Sequence, residues 1–122
     1  MRECSSGRLA KARQFANAFE LVRAFAEDNE AIGDVCVTLA VHAGIAASDV
    51  ICCARLGEHA IGESHVGAIE LLRRLDPAQA KKLATLLRLK TMAGYHHESI
   101  STQELMQAQR AMTSLVAAAI DA

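Results

Sequence analysis

Apolar positions along this chain recur three and four residues apart, and almost nowhere do they alternate with polar ones. That period stacks apolar side chains on one face of an α-helix, so helices are expected throughout and no sheet. The spacing predicts a first helix over roughly Ser5 to Glu27, with Ala12, Phe15, Phe19, Val22 and Ala26 as its inward stripe. Lys11, Arg13, Glu20 and Arg23 fall on its wet side. The chain's three phenylalanines, Phe15, Phe19 and Phe25, all lie in this segment, which makes it the expected anchor of the core.

A second helix is predicted from about Asn29 to Leu56, apolar nearly all round. Val35, Leu39, Ala46 and Cys53 form one face, while Val37, Val41, Ile45 and Cys52 form others. A helix without a polar face is normally surrounded by other helices, so its few polar members (Thr38, His42, Ser48 and Asp49) stand out. Gly57 supplies a C-terminal stop. A short third helix follows near Ser64 to Leu75, with Arg73 and Arg74 at the negative end of its dipole. Asp76 can cap a fourth helix, Pro77 suits its first position, and Gln79 sits where a capping box needs it. That helix is predicted to reach about Met92, with Gly94 as a breaker. Ser101 and Glu104 form a second capping box at the head of a last helix, whose stripe is Leu105, Ala108, Met112, Leu115 and Ala119. Five helices with short loops predict an all-α, five-helix up-and-down bundle. No linker, repeat or biased tract divides it, so residues 1–122 are read as one domain.

Composition sharpens this picture. Hydrophobic residues make up 52% and aromatics only 3%, much of the difference being alanine, which keeps helical propensity and lets helices approach closely. A net charge of -1 gives no global attraction to nucleic acid or to an anionic membrane, so any RNA contact must be local. Val35 to Val41, the longest apolar run, is broken by Thr38 and too short for a bilayer, so no membrane association is expected. Met1 to Gly7 is short and polar, unlike a secretory leader. Cys52 and Cys53 are helical neighbours pointing about 100° apart and cannot easily bond each other. With Cys4 and Cys36, they are expected to be reduced small hydrophobes in a cytoplasmic protein.

The segment LLRLKTMAGYHH, Leu86 to His97, concentrates the candidate chemistry. It sets Lys90, Tyr95, His96 and His97 where the fourth helix runs out. Lys90 continues a line through Leu83 and Leu87, so it must snorkel, pair with an acid or serve a ligand. A histidine near neutral pKa and a cation beside a phosphate are what RNA cleavage by 2′-hydroxyl attack requires. His96 or His97 would be the base, Lys90 the cation, and Tyr95 a stacking or hydrogen-bonding surface. The alternative leaves Tyr95 packed over the bundle end and both histidines solvated. His42 and Asp49, with Cys53 beyond, share a stripe on the second helix. Their two-turn separation lacks the spacing of paired helical metal ligands, so a buried polar pair is expected, with no metal and no cofactor. Asp49 on a surrounded helix needs a cation, for which Lys90 and Arg55 are the candidates, and Lys90 is the one on an apolar line.

Three segments in this order resemble the HEPN domain (higher eukaryotes and prokaryotes nucleotide-binding): LAVHAGIAASDVICCARLG; ESHVGAIELL, with His65 opening a third helix; and LLRLKTMAGYHHESISTQELMQAQRAMTSLV. The resemblance spans about Asn29 to Ala119. It implies a helical bundle, frequently homodimeric, often encoded beside a nucleotidyltransferase-type antitoxin as a toxin–antitoxin pair. Many members cleave RNA with an arginine followed four to six residues later by a histidine. Here the match is Lys90 and His96, and lysine lacks arginine's bidentate phosphate fork. The expectation is therefore a nucleotide- or RNA-binding domain without efficient nuclease activity, using Lys90, Tyr95, Asp49 and His42 as ligand-binding residues. A metal-independent ribonuclease using His96, His97 and Lys90, and a dimerisation or partner-docking module, are the alternatives.

Overall fold

The computed structural model describes the backbone of residues 2–27, 29–57, 65–95 and 100–122, and the side chains of 7–27, 32–57, 67–93 and 100–122. Five helices follow in order: α1 (Arg2–Phe25), α2 (Asn29–Leu56), α3 (His65–Arg73), α4 (Pro77–Tyr95) and α5 (Thr102–Asp121), with no strand among the described residues. The expected all-α bundle is therefore the observed architecture.

Local chemistry explains most helix ends. Ser101 accepts from the Glu104 backbone N–H at 3.1 Å, and the Glu104 carboxylate accepts from the Ser101 N–H at 2.9 Å, completing a capping box on α5. Gly57 adopts φ 73, a left-handed conformation, and its N–H donates to the Cys53 carbonyl at 3.0 Å, which stops α2. On α4 only half a capping box forms. Asp76 accepts from the Gln79 N–H at 3.2 Å, while the Gln79 side chain turns away to Ser114 on α5. α4 reaches Tyr95, three residues beyond Met92, so Gly94 lies within its last turn.

α2 is the centre, packing against each of the other four helices. Its segment Ile32–Leu56 is long and apolar enough to cross a membrane by length and composition, contrary to the reading from its longest unbroken run, but 72% of its apolar 18-residue stretch is buried inside the bundle. Most of its apolar surface is thus covered by neighbouring helices, with Val35 and Leu56 left exposed. Gly44 marks the tightest approach, because a Cβ there would lie 2.5 Å from a Leu86 methyl and 3.3 Å from a Leu115 methyl. Further along, a Cβ on Gly33 would meet Ile100 at 3.0 Å. Gly33 and Gly44 meet Ile100 and Leu115 in the same order, so α2 runs parallel to α5. Lys82 of α4 meets Ser114 while Arg88 shares a groove with Gln107, so α4 is antiparallel to both. Arg8–Asp49 and Phe15–His42 make α1 antiparallel to α2.

Within the core, Phe19, Leu72, Leu83, Leu86, Leu89 and Leu115 are fully buried, and the whole predicted α5 stripe is buried. Phe25 departs from expectation. It closes α1 at the hairpin turn and is 83% exposed, so α1 anchors the core through Phe19 rather than through all three phenylalanines. Glu20, Arg23 and Gln109 tie α1 to α5 at the surface, with Gln109 donating to Glu20 at 3.0 Å and Arg23 donating to Gln109.

Candidate phosphate-binding groove

The sequence-predicted site residues do not assemble as one cluster. Asp49 is buried, as its place on α2 demanded, but its partner is Arg8 of α1, with Nη1 to Oδ2 at 3.0 Å. Lys90 is exposed. The reason lies in the pitch of the buried line on α4, which climbs by threes through Ala80, Leu83, Leu86 and Leu89. Steps of three drift back around a helix by about 60° each, away from the Leu83–Leu87–Lys90 line. Axial position separates the pair as well. Gly44 is level with Leu86, and in antiparallel helices Lys90 and Asp49 lie beyond that level in opposite directions, roughly 13 Å apart along the axis. His42 is exposed too, and its ring stacks on Phe15 with centroids 5.0 Å apart and planes 24° from parallel. His42 and Asp49 therefore serve the α1–α2 seam through separate partners. Tyr95 ends α4, its side chain outside the described set, and His96 and His97 lie outside the described residues.

The cysteine expectation also changes. Cys36 and Cys52 are buried thiols, but Cys53 is disulfide-bonded. A chain whose cysteines all act as reduced small hydrophobes is therefore not what the structure contains.

What does assemble is a groove between α4 and α5, about 490 Å³ in volume, lined by Lys82, Thr85, Arg88, Gln107, Arg110 and Ser114 over an Ala111 floor. α4 places Lys82, Thr85 and Arg88 three apart on one edge, and antiparallel α5 answers with Ser114, Arg110 and Gln107. At one end, the Lys82 ammonium donates to the Ser114 hydroxyl at 2.8 Å, and the Gln79 amide reaches the same hydroxyl at 3.2 Å. At the other, Arg88 makes only a 3.8 Å contact to the Met92 sulfur. No carboxylate lines the groove, and among the described residues none pairs with Lys82, Arg88 or Arg110. A second recess of about 410 Å³ continues along α5, sharing Arg110 and Ser114 and adding Met106 and Ala117.

Three cations around a concave surface, without an acid to neutralise them, concentrate positive potential where an anion can enter. Two guanidinium forks and an ammonium suit phosphate oxygens, and the Gln107 amide adds a donor. Lys90 lies two residues beyond Arg88, about 200° around α4, and so does not line this groove. The sequence signal for the groove was local charge segregation. α4 carries Lys81, Lys82, Arg88 and Lys90 and not one acid, a bias hidden by the net charge of -1.

Compared with known proteins, the chain matches no family model, no curated protein and no solved structure.

Proposed function

We propose that this chain is a small helical domain that binds the phosphates of a nucleotide or RNA segment in the α4–α5 groove, in keeping with its HEPN resemblance. The observation that carries this reading is the acid-free set Lys82, Arg88 and Arg110 around one groove. The adjoining recess with Met106 and Ala117 offers apolar surface for the non-phosphate part of such a ligand. Binding is measured by fluorescence anisotropy with a labelled single-stranded RNA and with a labelled nucleotide. Replacing Lys82, Arg88 and Arg110 together by glutamine should weaken binding at least tenfold and flatten its salt dependence by about two to three released counterions. Wild-type affinity in the triple variant would remove the groove from the proposal. The RNA should stay intact; cleavage abolished by His96→Ala or His97→Ala would replace this reading with the ribonuclease. Failure to bind either probe would leave a partner-docking module.

The homodimer implied by the resemblance belongs to the same reading. It is supported by Leu21 and Phe25, 60% and 83% exposed one turn apart on α1, and by half-exposed Val35 on α2. Light scattering should report twice 13.0 kDa, and a monomer at tens of micromolar would remove the pairing.

A further inference from the structure

The two ends of the α4–α5 groove are built differently. At one end the Ser114 hydroxyl accepts from the Lys82 ammonium at 2.8 Å and from the Gln79 amide nitrogen at 3.2 Å, and it donates to the Gln79 amide oxygen at 3.3 Å. Gln79 thus crosses from α4 to α5 one turn beyond Lys82, and the groove lining stops at Lys82 and Ser114. At the other end Arg88 and Gln107 line opposite edges, and no hydrogen bond among the described residues joins them. The groove is a slot closed beside Lys82 and open beside Arg88, and the six residues between them span about 9 Å along α4.

We infer that this slot recognises the end of a phosphate chain, a terminal phosphomonoester, in preference to an internal phosphodiester; the inference rests on the groove reading above. A strand passing through a groove needs both ends open, whereas a terminal phosphate enters beside Arg88 and stops at Lys82. Charge favours the same choice. Lys82, Arg88 and Arg110 surround the slot without an acid. An internal phosphodiester offers them a single negative charge, whereas a monoester offers about -1.5 to -2 at pH 7 and three strong acceptor oxygens. An ammonium has three N–H donors, and Ser114 takes one from Lys82, leaving two aimed from a fixed position for those extra oxygens. Ser114 is itself occupied by Gln79, so it serves as the post that positions Lys82 rather than as a phosphate ligand. Single-strand binders that follow a chain take much of their affinity from bases stacked on aromatic rings. Among the described residues no aromatic side chain lines the slot or the adjoining recess, which leaves the phosphate as the group that is read.

Two matched pairs of probes test this on the full chain by isothermal titration calorimetry. The RNA arm compares a short single-stranded RNA carrying a 5′-phosphate with the same RNA ending in a 5′-hydroxyl. The nucleotide arm compares adenosine monophosphate with cyclic adenosine monophosphate, whose phosphate is a diester. In at least one arm the monoester should bind roughly tenfold more tightly or better, and the arm that shows it identifies the source of the terminal phosphate. Lys82→Gln should bring the monoester down to the affinity of its diester partner. Ser114→Ala should shrink the preference severalfold while diester binding persists, a change in ratio that general loosening of the helices would not produce. Equal affinity for monoester and diester, with both lost when Lys82, Arg88 and Arg110 are replaced together by glutamine, would overturn the inference and leave the groove reading standing. A preference that survives Lys82→Gln would also overturn it. Binding of none of the four probes would remove both readings.

Discussion

Replacing Phe19 by alanine should destabilise the bundle by about 3–5 kcal/mol, whereas the same change at Phe25 should stay within about 0.5 kcal/mol. Phe19 is fully buried in the main core, so truncation removes transfer energy and opens a cavity that close-packed neighbours fill only in part. Phe25 is already in water at the end of α1. Urea unfolding of both variants, read by helical circular dichroism, checks the contrast. Equal losses would mean that Phe25 is covered in solution, and the homodimer would be the first structure to examine.

The second large effect belongs to Arg8 and Asp49. Arg8→Met should cost about 1–3 kcal/mol, because it strips a cation from a carboxylate whose side chain is 10% exposed. The guanidinium is 38% exposed, and this keeps the loss below that of a fully buried pair. Both residues take part in further interactions, so each single loss exceeds the energy of their mutual contact. Asp49→Asn should cost a similar amount. The double variant should lose less than the two combined by roughly 0.5–3 kcal/mol, which a double-mutant cycle from denaturant melts would read. Lys90→Met is the control and should move stability by no more than about 0.5 kcal/mol, since Lys90 is exposed. Strict additivity of Arg8→Met and Asp49→Asn would dissolve the pair.

The helices were legible because their signals are local. α2 begins and ends where its apolar pattern and Gly57 place it, and the Ser101–Glu104 box forms as spelled. What the sequence could not show is which of several helical lines on α4 faces inward. Leu83–Leu87–Lys90 and Leu83–Leu86–Leu89 are both allowed by periodicity, and only packing against Gly44 selects the second. The need of Asp49 for a cation was readable, but its identity depended on hairpin register, which brings in Arg8 from 41 positions away. The groove is illegible for another reason: its two edges belong to different helices, and the net charge of the whole chain hides the basic bias of α4. Lys90, Tyr95, His96 and His97 form a dense local string, yet a groove is made by juxtaposition.

The central position of α2 also shapes how the protein must be made. Its 25-residue apolar segment is translated before α4 and α5. At about 5–20 residues per second, the stretch from Gly57 to Ala119 takes roughly 3–13 s to synthesise. During that interval α1 is the one finished helix able to cover α2, through short-range contacts that form early. The Phe15–His42 and Arg8–Asp49 register thus acts first on the nascent chain, shielding a segment that chaperones or a membrane-insertion machinery would otherwise engage.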